Sequence, residues 1–569
     1  MDQTIPAKEY KWLYLFIAIA AAVNFSGLFV TLMAPDATLY ATIAKTMVQR
    51  HDYANIILDG RDWLDKPHFP FWMASLSFNV FGFSTWAYKL PGVLFLMMGA
   101  AYTYHFAKNL YNKQIGLWAA LILLTAEHIV ISNNDVRAEP YLTGLVIASV
   151  FHFYRAYTRG NYWQLLAGCV FAACAIMTKG MFALIPIGGA IAGHLVITKQ
   201  WGKLFSLRSL IAIVLTMLLI APELYCLYQQ FDLHPEKVVF GQTGVSGIGF
   251  FFWGSQFGRF FNTGPIKGSG DPTFFIHTTL WAFLPWSLLL FAAVYQSIKK
   301  GIKNVQAHEW YCLCGGLLTF LVFSASKFQL PFYTNIIYPF FAIITAQYLF
   351  NLQSAKSIKA VRITQIMVII LIMITLGLLE YIFVPDHLKS PVIALICLLY
   401  VVLIFVPDMI SSAVLQKIIL STAAASFIVN IFFNLAYYPS LVQYQAGSAT
   451  AQWLNHFNAM HYPVVQCEAN NWPMEFYLEQ PLFTIDPDTV KTIPTKTFLL
   501  YASPAVLKTL AAKGWQYSQV DSALNYPITR IKLPFLNVRT RKNQVTPMMV
   551  VTVNQPIRHI NIDRSKLRK

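Results

Sequence analysis

Charged side chains are scarce in this 569-residue chain: Asp, Glu, Lys and Arg make up 12% of it, and hydrophobic residues make up 56%. The mean hydropathy is +0.51. A soluble domain carries about a quarter charged residues, so the composition excludes an ordinary soluble protein. It predicts a polytopic α-helical membrane protein with some soluble mass attached.

Acidic residues are the scarcer of the two charge types, with 25 Asp and Glu against 42 Lys and Arg and a formal charge of +17. The sequence contains neither a basic helix nor a basic groove interleaved with aromatic residues, which argues against nucleic acid as a partner. Cytoplasmic loops of membrane proteins collect Lys and Arg, so the positive charge is expected beside membrane lipids.

Cysteine contributes little chemistry. Six of the seven cysteines lie in apolar stretches, where cysteine behaves as a small hydrophobic residue, and only Cys467 lies in the polar tail. The tail therefore has no internal disulfide. The spacing of Cys312 and Cys314 does not match a metal site.

Long apolar runs dominate the rest of the chain, and thirteen of them are candidate transmembrane helices. Their approximate limits are 11–33, 87–107, 115–131, 139–155, 163–178, 181–198, 209–229, 276–298, 309–325, 331–350, 362–384, 391–407 and 416–436. A shorter apolar stretch, 71–84, is expected to lie in the membrane interface.

Basic residues indicate the orientation of these spans. If the N-terminus is cytoplasmic, five successive inner loops carry most of the loop Lys and Arg, as the positive-inside rule requires. An odd number of spans then places the C-terminus outside. The long loops 34–86 and 230–275 are expected on the same outer side as the tail.

The chain divides into two predicted domains, a transmembrane module over 1–438 and a soluble periplasmic α/β domain over 439–569. The second domain has β-type runs at 464–468, 497–501 and 548–553. Helix-like pieces lie between them at 448–458 and 505–513, which is the pattern of a small α/β core.

Two motifs in the first outer loop carry the candidate chemistry. Asp36 follows Pro35 at the start of a predicted helix, where a carboxylate can cap backbone N–H groups or act as a general base at the membrane surface. The segment 65–67, Asp-Lys-Pro, is either a solvated turn or a site in which Lys66 pairs with a phosphate or with Asp36.

Two further clusters map to the same predicted face. Segment 133–139 places Asp135, Arg137 and Glu139 in a short turn, where they neutralise one another or belong to a site. Lys179 ends a predicted helix, where it interacts with the last carbonyls or with a ligand.

The remaining candidates are also basic residues at the outer face. Lys327 and Tyr333 flank a Pro-marked helix start, and Arg259 lies in the glycine-rich stretch 241–270, which is either a flexible loop or a mobile lid. A transporter would bury ionisable groups near mid-helix, so this distribution indicates a surface site.

These motifs together resemble the membrane-embedded glycosyltransferases of the GT-C class, specifically the superfamily of bacterial aminoarabinose transferases and dolichyl-phosphate-mannose protein mannosyltransferases. The family pattern similar to PDExRYAEIA is matched by residues 35–44, with Ala37 replacing the second acid and Leu39 replacing the Arg. Four further family patterns, EKPPLxYW, LTKGP, FLPWxLLL and FSxSxxKLPxYxxPxxP, resemble residues 65–72, 177–181, 283–290 and 323–339, the last with Gln329 at the family Lys.

The resemblance implies an inverting transfer of a sugar from a polyprenyl-phosphate donor, of the undecaprenyl-phosphate type, at the periplasmic face of the bacterial inner membrane. By that analogy Asp36, Lys66 and Asp135 form the catalytic set. The implied phosphate- or substrate-binding residues are Arg137, Lys179, Arg259, Lys327 and Tyr333. A divalent metal ion is the one cofactor that the resemblance raises, with Asp65 and His277 as its ligands.

The acceptor stays open between lipid A or lipopolysaccharide, a polysaccharide and a protein. Ala37 argues against the protein-mannosylating branch, although a protein O-glycosyltransferase remains an alternative. A hydroxyl acceptor requires Asp36 to remove its proton, whereas a lipid A phosphate needs no strong base. A lipid-linked sugar transporter and a glycan-binding envelope scaffold are the alternatives outside enzyme chemistry.

Overall fold

A computed structural model describes residues 4–385, 390–458, 460–467, 471–485 and 497–553. All thirteen predicted spans fall on helices, several of them interrupted by short 3-10 or π turns. The principal helices up to residue 438 are Tyr10–Ser26, Asp36–Arg50, Phe69–Phe81, Thr85–Leu110, Lys113–Leu124, Glu127–Asn134, Glu139–Arg159, Tyr162–Lys179, Leu184–Ile197, Leu207–Leu219, Ala221–Leu227, Phe274–Ala282, Ser287–Lys303, Thr319–Ala325, Tyr338–Phe350, Ala355–Phe383, Ser390–Ile410 and Val414–Phe432.

Within the described ranges, five helical segments are long and apolar enough to cross a membrane: Ala7–Phe29, Tyr162–Lys179, Trp201–Asp232, Ala355–Phe383 and Val414–Val442. The helices Lys113–Leu124 and Glu127–Asn134 make a sixth if they form one span bent by 52°. The architecture is therefore that of a helical membrane protein with five or six such segments, and the number thirteen stays a prediction.

The apolar helices differ in what surrounds them. Val414–Val442 is mostly buried in the bundle, and Ile419 and Phe427 belong to its core. Ala355–Phe383 instead exposes large apolar side chains such as Leu371 and Ile374. Exposed apolar surface of this extent is typical of contact with lipid.

The two long loops predicted on the outer side contact each other. Helix Asp36–Arg50 ends at His51, which adopts the left-handed conformation, and strands β1 (Ile57–Leu58) and β2 (Arg61–Asp62) follow as a hairpin. The Gln230 side chain exchanges two 2.9 Å hydrogen bonds with the backbone of Ile56. Loops 34–86 and 230–275 therefore form one assembly at one end of the bundle.

The polar tail forms a five-stranded mixed sheet from β3 (Val464–Gln466), β4 (Leu482–Thr484), β5 (Phe498–Ala502), β6 (Tyr517–Asn525) and β7 (Thr546–Val553). The strand order is β4-β3-β5-β7-β6. β3 runs parallel to β4 and β5, with Val464 opposite Leu482 and Leu499, and β7 runs antiparallel to β5 and β6. The tail helices are Ala446–Phe457, Trp472–Tyr477, Pro504–Ala512 and Leu533–Leu536.

The predicted α/β pattern of the tail is confirmed where the runs were apolar. Three predicted runs coincide with β3, β5 and β7, although Glu468, at the end of the first run, lies outside the described residues. Strand β6 was not predicted because most of its side chains are polar or exposed. Apolar residues fill both faces of the sheet, including Leu499 on one face and Leu500 on the other.

Lys45 fastens the tail to the first outer loop. This side chain is 7% exposed, and its Nζ donates to the backbone oxygens of Glu475, Phe476 and Leu478 at 3.1, 2.8 and 2.7 Å. The Tyr477 hydroxyl also accepts a 2.9 Å bond from the backbone N–H of Leu32. The helix that begins at Asp36 is therefore held against the C-terminal domain.

We expect Lys45→Met to loosen this junction, because three backbone oxygens lose their donor and each buried unsatisfied group costs about 1–3 kcal/mol. The midpoint of thermal unfolding in detergent should fall, and limited proteolysis should cut the tail faster. Gln49→Met, at an exposed position of the same helix, is the matched control. Equal behaviour of both variants would contradict the role of Lys45.

Candidate functional site

Asp36 is the first residue of its helix, but its carboxylate does not cap that helix. Pro35 occupies the capping position, and no side-chain capping bond is made there. Oδ2 of Asp36 instead accepts a 2.5 Å bond from Nη1 of Arg137, 101 residues further along the chain. The capping interpretation of Asp36 is therefore wrong.

Arg137 joins two carboxylates. Its Nε donates to Oδ2 of Asp135 at 3.0 Å, and Nη2 binds the same oxygen, while Nη1 binds Asp36. The guanidinium carbon lies 4.5 Å from the ring centroid of Phe332, within the range of a cation–π contact. Arg137 therefore fixes Asp36 and Asp135 relative to each other.

Lys66 pairs with its neighbour Asp65. It does not pair with Asp36, which was one of its two predicted partners. The other oxygen of Asp65 binds Nη2 of Arg259, which comes from the glycine-rich stretch of the second outer loop. The Arg259 guanidinium also lies 5.5 Å from the ring of Phe328. One carboxylate thus holds two cations from different loops side by side.

Lys179 completes the cluster of cations. Its Nζ pairs with the buried carboxylate of Glu139 and lies 4.4 Å from the ring centroid of Tyr333. The next residue, Gly180, has φ +93°, and a Cβ there would approach within 2.2 Å of the Gln256 side chain. Gln256 donates to the Lys179 backbone oxygen at 3.1 Å, so glycine is required where the second loop closes over this turn.

These groups surround a cleft that encloses about 760 Å³ of space, including its open side. Its polar lining comprises Asp65, Lys66, Glu139, Lys179, Ser255, Gln256, Arg259, Ser326 and Tyr333. Its apolar lining comprises Pro67, Leu142, Phe182, Ala183, Phe323, Phe328 and Ile336. Arg137, which binds Asp36 and Asp135, contacts Phe332, the neighbour of Tyr333. We call the cavity with this polar and apolar lining the charged cleft.

Asp36 is the most accessible carboxylate of the cluster. Its side chain is 41% exposed, against 22% for Asp65, 19% for Asp135 and 3% for Glu139. Burial raises the pKa of Asp36, the charge of Arg137 opposes that rise, and the nearby Asp135 adds to it. Asp36 is thus the carboxylate best placed to meet an incoming group and exchange a proton with it.

The pKa values of Asp65 and Lys66 are both lowered, but for different reasons. Burial would raise the pKa of Asp65, but the charges of Lys66 and Arg259 outweigh it and hold that pKa below its usual range. Burial lowers the pKa of Lys66 to about 8, because the attraction of Asp65 offsets only part of the desolvation, and Arg259 repels the added charge. Lys66 therefore gives up its proton more readily than an ordinary lysine.

Two predicted site residues lie apart from the cleft lining. Lys327 is exposed, and its backbone N–H donates to the oxygen of Phe260 at 3.1 Å. His277 is exposed as well, and its ring contacts Phe274. Lys327 therefore does not replace the family lysine inside the charged cleft.

The residues present do not suit a divalent metal ion. Within the described ranges, no group of three or more His, Cys, Asp or Glu residues is placed to hold one. Asp65, the predicted ligand, already binds two cationic side chains, Lys66 and Arg259, which would repel a metal ion. The predicted pairing of Asp65 with His277 in a metal site is thus unsupported by the donor set.

The contacts of three residues were not predicted from the sequence. For Glu139 the sequence left open a self-neutralising turn or a site, without naming its partner, which is Lys179 from another helix. Phe332 contacts both Arg137 and Lys179, at 4.5 and 5.5 Å from its ring centroid. Gln256 carried no signal beyond its place in the glycine-rich stretch, whereas Phe332 lies inside a motif that had been singled out.

Residues 65–226 match the family model of dolichyl-phosphate-mannose-protein mannosyltransferases. This segment contains five of the predicted site residues, Asp65, Lys66, Asp135, Arg137 and Lys179. Asp36 precedes it.

Curated relatives match a longer part of the chain than the family model does. An uncharacterized protein of Aquifex aeolicus is 24% identical over 329 residues, which cover 57% of this chain and 61% of that protein. The undecaprenyl phosphate-alpha-4-amino-4-deoxy-L-arabinose arabinosyl transferase 2 of Proteus mirabilis is 27% identical over 340 residues, or 58% of this chain and 57% of that protein. The chain thus spans somewhat more than half the length of these curated relatives.

Solved structures extend the likeness to nearly the whole chain. The crystal structure of ArnT from Cupriavidus metallidurans bound to undecaprenyl phosphate aligns with 97% of this chain and 99% of that one, at a TM-score of 0.74 and 17% identity. The same protein in the apo state aligns at a TM-score of 0.72 and 17% identity. The resemblance read from the sequence is confirmed, and the chain has the GT-C fold of the membrane glycosyltransferases.

Proposed function

We propose that the chain is an inverting glycosyltransferase that moves a sugar from a polyprenyl-phosphate donor to an acceptor. The observation that carries the proposal is an accessible carboxylate, Asp36, held next to a cleft that gathers three cations and an apolar wall. A lipid-linked sugar presents the complementary groups, an anionic phosphate and a hydrocarbon chain. The relatives named as undecaprenyl-phosphate aminoarabinose transferases support undecaprenyl phosphate as the carrier.

The donor phosphate is placed against Lys66, Lys179 and Arg259. Each of these cations is paired with a carboxylate, so a bound phosphate competes with Asp65 and Glu139 for them. The polyprenyl chain is placed along the apolar lining, which includes Leu142, Phe182 and Ile336. Cations aimed at the phosphate stabilise the negative charge that develops as it leaves.

The transfer step uses Asp36 as a general base. Its Oδ2 is held by Arg137, while Oδ1 has no hydrogen-bond partner among the residues described. An acceptor hydroxyl gives its proton to the carboxylate, and its oxygen forms a bond to the anomeric carbon of the sugar. The bond from that carbon to the phosphate oxygen breaks, and its electron pair leaves with the polyprenyl phosphate.

The same proposal includes the location, topology and domains of the protein. The protein is placed in a bacterial inner membrane with thirteen spans, a cytoplasmic N-terminus and domains over 1–438 and 439–569. The basic residues of five predicted inner loops support this orientation. Lys45 of the first outer loop binds backbone oxygens of residues 475, 476 and 478 in the tail. These bonds support placing the loop and the tail on the same side of the membrane, the periplasmic side. Lipid A, a polysaccharide and a protein are the candidate acceptors.

Asp36→Asn should lower sugar transfer by about 10²–10⁴-fold, because the amide cannot accept the proton. Membranes with a radiolabelled pool of polyprenyl-phosphate-linked sugar provide the assay, and the product is fractionated into lipid, polysaccharide and protein. Asp62→Asn is the matched control, since Asp62 belongs to the same loop assembly and pairs with Lys237 at 2.9 Å. Transfer that survives Asp36→Asn would exclude Asp36 as the base, and transport of the donor without transfer would favour a transporter.

Lys66→Met should weaken binding of undecaprenyl phosphate by about tenfold or more, because a charge-assisted hydrogen bond contributes about 1.5–3 kcal/mol. Lys66→Arg should retain part of the affinity. For the native chain, affinity should fall as the pH rises past about 8, where Lys66 loses its proton. Tryptophan fluorescence in detergent measures the binding, and Lys237→Met is the control. A loss of the same size in the control would contradict a specific contact.

Arg137→Gln should move the acid limb of the pH profile of kcat/KM to higher pH. Transfer needs ionised Asp36, so activity falls as the pH drops through the pKa of Asp36, which already lies above its ordinary value. Removing Arg137 removes the charge that opposes this rise. Arg50→Gln, at the exposed end of the same helix as Asp36, should leave the limb in place. If the acid limb of Arg137→Gln stays in place, that limb does not report the ionisation of Asp36.

A further inference from the structure

A second cleft lies where the residues before Asp36 meet the C-terminal domain. Ala34 and Pro35 form part of its wall, and the other lining residues lie between Gln445 and Met548. It encloses about 890 Å³ of space, including its open side. Gln445 fixes this edge, because its side chain accepts a 2.8 Å bond from the Ala34 N–H and donates a 2.9 Å bond to the Leu32 oxygen.

The lining of this second cleft contains no residue that is charged at neutral pH, within the part of the chain described. Its polar groups are carboxamides and hydroxyls, from Gln445, Asn471, Asn525, Thr529 and the two tyrosines 501 and 526. The charged cleft, in contrast, gathers two carboxylates and three cations in its lining. The charged cleft and this second cleft are therefore built for ligands of different charge.

Several of these polar groups have hydrogen-bonding capacity to spare. Oδ1 of Asn525 accepts a 3.3 Å bond from the Ala446 N–H, and Oδ1 of Asn471 accepts one of the same length from the Met474 N–H. Neither side-chain amide nitrogen donates to a protein group in the described ranges, and neither is buried without a partner. The exposed Thr529 adds a hydroxyl, so the cleft offers donors to a ligand.

We propose that the second cleft binds the acceptor, and that the acceptor presents an uncharged, hydroxyl-rich saccharide to Asp36. This inference rests on the proposed glycosyl transfer and deepens it by naming the acceptor class. Sugar hydroxyls exchange hydrogen bonds with amides and hydroxyls, and the apolar face of a sugar ring packs on aromatic side chains. An acceptor that offers a phosphate would need cations, which this lining does not provide.

The position of the cleft gives the saccharide a route to the base. Ala34 and Pro35 line the cleft, and Asp36 follows directly with its side chain 41% exposed. A hydroxyl that enters along this wall reaches Asp36 from the tail, while the donor phosphate approaches through the charged cleft. The acceptor proton passes to Asp36 as the sugar–oxygen bond forms and the bond to the phosphate breaks.

The test uses the full-length chain in vesicles with radiolabelled polyprenyl-phosphate-linked sugar. A neutral polysaccharide fraction and a lipid A fraction of the cell envelope are added separately as acceptors. Thr529→Trp fills the cleft without removing an internal hydrogen bond, and Gln519→Leu, at an exposed position of strand β6 outside the lining, is the matched control. Binding of undecaprenyl phosphate is measured in parallel for each variant.

We expect label in the neutral polysaccharide through a linkage that survives mild acid. Thr529→Trp should raise the KM for that acceptor by about tenfold or more, which corresponds to about 1.4 kcal/mol, with donor affinity unchanged. Gln519→Leu should match the native chain. Label on a lipid A phosphate, released by mild acid, or label on protein would overturn the acceptor class. Unchanged transfer by Thr529→Trp would overturn the location.

The experiment distinguishes failure of the proposed glycosyl transfer from failure of the acceptor site alone. If the native chain transfers no sugar to any fraction while it binds the donor, the proposed glycosyl transfer fails, and the acceptor site fails with it. If the native chain transfers sugar to a fraction other than the neutral polysaccharide, only the acceptor site fails.

Discussion

The Arg137 guanidinium is the contact on which the arrangement of the site depends. It binds Asp36 at the start of one helix and Asp135 at the end of another, and its central carbon lies over the ring of Phe332. These residues come from three separate parts of the chain, and each charge would be costly at a membrane surface without a partner. The fork-shaped donor set of arginine binds one oxygen of each carboxylate at once, which a lysine could not do with the same geometry.

A second junction connects this site to the tail. Lys45 lies on the helix that begins at Asp36 and donates to three backbone oxygens at the end of helix Trp472–Tyr477, where the helix dipole favours a cation. Gln445 binds the backbone of Leu32 and Ala34, just before the helix that begins at Asp36. The position of Asp36 is therefore set from two directions, by Arg137 in the membrane module and by the C-terminal domain.

Sequence reasoning located the elements of the fold better than the partners of the site. Apolar runs predicted the helices, and the motifs around Asp36 and Lys66 singled out a loop whose residues Asp65 and Lys66 line the charged cleft. The pairings were not predictable, because Asp36 and Arg137 are 101 residues apart and Asp65 and Arg259 are 194 apart. Strand β6 was missed for a related reason, since it is recognised by its pairing with β7 and not by apolar alternation.

In the proposed transfer, the contrast between the two clefts lets one carboxylate serve a donor and an acceptor of different chemistry. A phosphate needs cations, and cations need carboxylates to hold them in the absence of a ligand, so the charged cleft contains both signs of charge. A saccharide needs only dipoles, so its cleft can do without charges that would attract the phosphate to the wrong side. Asp36 pairs through one oxygen with Arg137, its side chain is 41% exposed, and it directly follows Ala34 and Pro35 of the second cleft. Under the proposed function, separation of the two ligands by charge thus directs each to its own cleft.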